Sequence, residues 1–131
     1  MNTSVTYSEP AQSEAVARLS AAFPKLPEAY LAFLSQFNGA EGSLGVEPGW
    51  FVVWPAEEAL VASTEYEVTE YLPGYFAFGS NGGGELLVFR LVGSSDSQVF
   101  MVPAIGMAAS ELLSVAESFA VFIGQMGKVF Q

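Results

Sequence analysis

LPEAYLAFLSQFNG, residues Leu26 to Gly39, is the stretch whose reading decides the fold. Tyr30, Phe33, Leu34 and Phe37 fall at i, i+3, i+4 and i+7, so a helix gathers three rings and a leucine on one side. Pro27 suits the first helical position, where no amide donor is needed and its fixed φ is already helical. Asn38-Gly39 offers two residues that tolerate the left-handed conformation and let a helix stop with its last carbonyls satisfied. So aromatic a face needs a broad apolar partner, and the strand-like runs downstream supply a sheet.

Upstream, Ser8 to Phe23 reads as a first helix. Ser8 or Ser13 caps it, Glu9 and Glu14 occupy its first turn, and Ala15, Leu19, Ala22 and Phe23 form its apolar face. Pro24 and Pro27 bracket a tight corner, which predicts a helical hairpin. Downstream, Ala40 to Gly49 reads as a glycine-rich loop. Trp50-Phe51-Val52-Val53-Trp54 is apolar on both faces of a period-2 reading. That marks a central strand covered on both sides, or one whose outer face is used for contact. Trp50 and Trp54 share one face; burial is the expected fate of both, with a contact patch as the alternative. Pro55 then opens a short helix holding Glu57, Glu58, Leu60 and Val61. Residues 64–72, TEYEVTEYL, fit the period of a strand or of a helix, and helix or irregular structure is expected. Pro73-Gly74 forces a turn.

Tyr75 to Gly79 and Glu85 to Leu91 read as strands joined by Ser80-Asn81-Gly82-Gly83-Gly84, a hairpin in which Asn81 and Gly82 both accept positive φ. Gly93 to Ser97 makes another turn and Gln98 to Pro103 another strand, so an antiparallel meander is predicted. Ser114-Val115-Ala116-Glu117 fits a capping box, opening a last helix with Val115, Phe119, Phe122, Ile123 and Met126 on one stripe, closed by Gly127. The expectation is one α+β domain over residues 1–131: an N-terminal helical hairpin, a mainly antiparallel meander sheet and a closing C-terminal helix.

Fourteen acids against four bases give a formal net charge of −10, which repels nucleic acid and anionic membrane. Two readings stay open on charge alone: solubility, or attraction of a basic protein partner. The chain contains no cysteine and no histidine, which removes disulfides, the usual zinc ligand sets, and thiol or imidazole chemistry. The start, MNTSVTYSEP, lacks a basic patch followed by an apolar core, and the apolar run Trp50 to Pro55 is too short to span a bilayer. A cytoplasmic protein is expected. It should be no enzyme, with no catalytic residues, no cofactor and no metal.

Residues 80–84 lack the helix and lysine of a phosphate loop and read as a structural turn. The acids Glu57-Glu58 and Glu65, Glu67 and Glu70 do not follow a metal-loop pattern, and Asp96 is the chain's single aspartate. They form either a solvated face or a binding surface. In the second reading, acids alternate with Tyr66 and Tyr71, whose rings supply contact area at low entropy cost beside carboxylates suited to Lys and Arg. Tyr75, adjoining a strand, is expected in the core. The candidate partner-binding residues are Glu41, Glu47, Glu57, Glu58, Glu65, Tyr66, Glu67, Glu70 and Tyr71.

Three stretches carry a family resemblance. Leu26-Pro27 with Tyr30, Phe33, Leu34 and Asn38-Gly39 resembles the opening signature of the SUKH superfamily (Smi/Knr-like domain). Phe78-Gly79-Ser80-Asn81-Gly82-Gly83-Gly84-Glu85 resembles its second signature, and Ser118-Phe119 with Phe122-Ile123 its third. The order matches, and the resemblance covers about Ala15 to Met126. The second signature often ends its strand in aspartate, where Arg90 follows Phe89 here. The resemblance implies an α+β fold and a non-enzymatic role. In the bacterial immunity-protein branch, that role is to bind and neutralise a cognate toxin, often a nuclease or deaminase, of a polymorphic or contact-dependent toxin system. A nuclease must present cations to phosphate, so an acidic inhibitor can occupy that same surface. The alternative is a general protein-interaction or scaffold domain resembling the yeast cell-wall-assembly regulators.

Overall fold

Seven strands hydrogen-bond in the order in which the chain makes them, each pair antiparallel. The computed structural model describes residues 5–130; the first four positions of MNTSVTYSEP and residue 131 lie outside the described residues. The strands are β1 (Val5–Tyr7), β2 (Ala40–Ser43), β3 (Trp50–Val53), β4 (Tyr75–Ser80), β5 (Glu85–Arg90), β6 (Val99–Pro103) and β7 (Leu113–Ala116). Helices α1 (Ser13–Ala22) and α2 (Glu28–Gln36) separate β1 from β2. Helices α3 (Ala56–Glu65) and α4 (Val68–Tyr71) connect β3 to β4, and α5 (Phe119–Gly124) follows β7. The fold is therefore α+β, with the expected meander at its centre. No helix among the described residues is long and apolar enough to cross a membrane.

The aromatic face of α2 lies where its spacing predicts. Tyr30 is fully buried, its ring centroid 5.1 Å from Phe89, 5.7 Å from Phe119, 5.8 Å from Phe78 and 6.0 Å from Phe76. Around these rings pack Leu19 of α1, Leu34 of α2, Phe51 and Val53 of β3, and Phe122 of α5. Most of these contacts are tilted or edge-on, and each such pair adds about 0.5–1.5 kcal/mol beyond the area it buries. The Tyr30 hydroxyl has no hydrogen-bond partner among the described residues, and burial pushes its pKa up. On the other side of the sheet, Ala77, Leu86, Val88 and Val102 lie beneath Val68 and Leu72 of α4 and Met107. That cover stops at β4. The outer side of β3 has no helix over it.

A bulge sits beside the ring cluster. The β4–β5 register shifts between Ala77 and Gly79, so Phe78 is the extra residue and stacks on Phe89 at 4.4 Å. Beside the bulge β4 lies close to β3: a Cβ on Gly79 would lie 1.9 Å from the Val52 carbonyl oxygen.

Several sequence expectations are corrected. The first helix begins at Ser13, not Ser8, and its N-cap is Gln12, whose side chain makes no capping bond. Pro10 lacks an amide donor and pushes Glu9 out of the helical region, so residues 8–12 run extended. Their backbone bonds go to α2 and its exit: Ala11 N–H to Leu34 C=O at 3.0 Å and Asn38 N–H to Glu9 C=O at 2.7 Å. Pro27 is the extended N-cap of α2 rather than its first helical residue. Ala40–Ser43 is strand, not loop, because pairing with β1 and β3 overrides the low strand propensity of its glycine. In the hairpin only Gly82 takes positive φ, at 78°. Asn81 instead shapes the turn with its side chain, Oδ1 accepting from the amides of Gly83 and Glu85.

The supposed capping box is also wrong. Ser114 lies in β7, and α5 opens at Phe119, with Ser118 Oγ accepting from Val121 N–H at 3.1 Å. Asp96 completes that cap from a distant turn, its carboxylate accepting from Phe119 N–H at 2.7 Å and Ala120 N–H at 3.1 Å. Trp50 is 41% exposed rather than core, its ring lying beside the Gly82 turn, while Trp54 is partly buried against the second cluster.

Gly79→Ala should destabilise the fold by at least ~3 kcal/mol, because backbone rather than a side chain blocks the new methyl. Gly84→Ala, which meets nothing within 4 Å, should leave stability within about 0.5 kcal/mol. Urea unfolding of the two variants side by side checks both.

Candidate protein-binding face

The face is built on α3, and α3 depends on a residue far away in sequence. Its N-cap is Pro55, which has no side-chain acceptor to offer the first amides of the helix. Asn38 supplies one: its Oδ1 accepts from Ala56 N–H at 2.8 Å, and its Nδ2 donates to Glu57 Oε1 at 3.1 Å. Gly39 allows the approach, since a Cβ there would lie 2.9 Å from the Val53 carbonyl and 3.3 Å from Pro55 N. Asn38-Gly39 was expected to end α2 with two left-handed residues. Gly39 does take φ +113°, but Asn38 does not; it caps the next helix instead.

Ala56, Ala59, Ala62 and Ser63 turn inward, and their small side chains let α3 lie close to its neighbours. Glu57, Glu58, Val61 and Glu65 are thereby left on the outward side. An open groove of about 360 Å³ is lined by Trp54, Glu57, Glu58, Val61, Ala62, Glu65 and Tyr66. Within it the rings of Trp54 and Tyr66 are stacked, with centroids 6.0 Å apart and planes 2° apart. A second groove of about 450 Å³ begins on the other side of Glu65 and Tyr66, lined also by Glu67, Tyr71, Ala104, Ile105, Gly106 and Met107. Tyr66 belongs to both. It is the wall between them.

Glu67 sits at the joint between α3 and α4 with φ 55° and ψ 39°, the one non-glycine positive φ among the described residues. A side chain in that conformation costs roughly 1–2 kcal/mol, which glycine would avoid.

Of the nine residues singled out in the sequence, six line the two grooves: Glu57, Glu58, Glu65, Tyr66, Glu67 and Tyr71. Glu70 is exposed on α4 but lines neither groove. Glu41, on β2, pairs with Val52, so it shares the outer side of the sheet with Trp50 and Val52, and that row leads along β3 to Trp54. Glu47 is not gathered in; it lies on the turn before Trp50, at the far end of β3 from α3. Tyr75 is half-buried with its ring edge-on to Phe100, as expected of a core residue. Sequence reading missed Val61 and Ile105, and gave the outward face of β3 with Trp54 only as an alternative to burial. The Trp–Phe–Val–Val–Trp alternation carried that signal, but deciding which side is covered requires knowing where α4 lies.

Hydrogen bonds from Asn38 and from its own backbone hold the Glu57 carboxyl below the usual glutamate range, with a smaller contribution from the Arg18 guanidinium. No group of three or more Asp or Glu among the described residues is placed to hold a metal ion. The arrangement is suited to gripping a surface: carboxylates at the rim, rings and aliphatic side chains within.

Comparison with known families adds one finding. The family model described as SMI1 / KNR4 family (SUKH-1) matches residues 10–125. That span contains Asn38-Gly39, the bulge and turn at residues 78–85, and the capped start of α5. A search of curated proteins finds no match.

Asn38→Ala should lower stability by about 1 kcal/mol, the usual loss on removing an N-cap acceptor. It should also flatten a small acid-side slope. A carboxyl with a depressed folded pKa contributes stability above its unfolded value, near 4.3, and loses it as pH falls through the folded one. Thermal melts of the wild type and variant between pH 7 and pH 3 check this: their separation should narrow towards the acid end.

Proposed function

The chain belongs to the SMI1 / KNR4 family (SUKH-1), and from that premise we propose that it is a cytoplasmic immunity protein that binds and neutralises a cognate toxin. The toxin would be a nuclease or deaminase of a polymorphic or contact-dependent toxin system. The chain acts by stoichiometric contact rather than catalysis: it covers a cationic surface that the toxin needs for its substrate.

The observation that carries this reading is the charge pattern of one face. Residues 26–89 contain no Lys or Arg, and they include all of β2, β3, α3 and α4. Five carboxylates on α3, α4 and their joint stand beside Tyr66 and Tyr71, which are 42% and 54% exposed. Exposed tyrosines give rigid contact area, and acids that outnumber the nearby Arg18 steer a basic partner inward. Solubility would be served by scattered charge and has no need of exposed rings among the acids. A toxin domain encoded beside this chain would accord with the proposal. A set of housekeeping partners would favour the scaffold role of the yeast cell-wall-assembly regulators instead.

The triple variant Glu65→Lys, Glu67→Lys, Glu70→Lys should associate with the toxin at least severalfold more slowly than wild type. Wild-type association should itself slow with added salt. Stopped-flow mixing of purified proteins measures both rates, and association unchanged by the triple substitution refutes this placement of the surface.

A further inference from the structure

The second groove has a feature the sequence did not announce: its far wall is Ile105, 93% exposed on the turn after β6. A branched aliphatic side chain so fully in water buries nothing for the fold. Tyr66, Tyr71, Glu65 and Glu67 line the same groove, together with buried Met107. Tyr66, whose ring runs parallel to that of Trp54 with centroids 6.0 Å apart, also lines this groove. No base lines the groove.

We propose that this groove between the α3–α4 joint and the 104–107 turn is the seat of an arginine side chain presented by the basic partner. The proposal rests on the function proposed above and adds the kind of residue recognised. Charge complementarity selects the occupant: Glu65 and Glu67 face an otherwise base-free groove. A second copy of this chain, itself at −10, is repelled from it. Ring geometry then selects arginine over lysine. A guanidinium is planar and weakly hydrated and lies flat on an aromatic face while its edge donates to carboxylates. An ammonium holds its water more tightly and cannot stack. Ile105 covers the stem of the bound side chain. The backbone at Glu67 fits the same account: the joint retains a carboxylate at a position where glycine would sit without strain.

The test uses the full chain and two nine-residue peptides that alternate glycine with arginine or with lysine, matched in charge. Binding is followed by the NMR signals of the Tyr66 and Tyr71 rings and the Ile105 methyls. The arginine peptide should move those signals and bind about two- to fivefold tighter than the lysine peptide, the equivalent of about 0.5–1 kcal/mol of cation–π attraction. Tyr66→Ala should remove the preference and Tyr66→Phe should keep it. Glu67→Gly should weaken arginine-peptide binding while raising the urea midpoint, which separates a contact role from a structural one. Equal affinity for the two peptides overturns the proposal, as do signal changes spread over the whole acidic surface. The two readings fail separately. If a toxin is neutralised with affinity indifferent to Tyr66→Ala, the arginine seat is wrong and the immunity role stands; if the arginine peptide docks here but no toxin is neutralised, the reverse holds.

Discussion

The packing of Tyr30 against Phe76, Phe78, Phe89 and Phe119 is the constraint from which the other features follow. Large rings meeting at tilted angles fill space well only if the backbones beneath them sit at set distances. Phe76 and Phe78 face inward by the alternation of β4, and Gly79, beside the bulge, accepts the close approach of β3. Asp96 and Ser118 together end-stop α5, so that Phe119 and Phe122 arrive in the same layer. Each of these polar or glycine positions serves the rings.

Committing α1, α2 and α5 to one side of the sheet leaves the other side thinly covered. Only α4 and the segment after β6 lie there, over β4 to β6. The outer side of β3 and the outward side of α3 are then only partly committed to the fold, through Trp54 at the second cluster and Glu57 at the Asn38 cap. That is where the tryptophans, the exposed tyrosines and most of the clustered acids stand. Asn38-Gly39 joins the two regions, since the residues that follow the aromatic helix also cap the helix bearing the carboxylates. The orientation of the binding face is thus tied to the core through one amide side chain and one close backbone approach.

Much of this was legible in the sequence, because period-3.6 aromatics and paired glycine-rich turns are local signals. The fold class, the central meander, α2, α3 and the helical character of the α4 region all come from such patterns. What escaped was non-local. β1 is only three residues long, and β2, AEGS, is poor in strand formers; β2 is a strand because β1 and β3 pair with it on either side. Ser118 caps α5 locally, but the rest of the cap comes from Asp96, twenty-three residues before Phe119, where no local capping rule could find it. Likewise Glu57, Glu58, Glu65, Tyr66, Glu67 and Tyr71 were legible as a group, since they are neighbours along the chain. Ile105 joins them only through tertiary structure. Glu47 shows the converse: its charge matches the group, but the fold sends it to the other end of β3.

If the rings hold the fold and the acids serve a partner, the carboxylates of α3 and α4 are dispensable to stability. The most direct measurement is the urea unfolding midpoint of a variant carrying Glu58→Gln, Glu65→Gln, Glu67→Gln and Glu70→Gln, at low and at high salt. Relief of self-repulsion should leave its midpoint equal to or above that of the wild type at low salt, with the difference closing as salt is added. A midpoint clearly below the wild type in both conditions would mean that the acidic face holds the fold together, contradicting the division of labour drawn here.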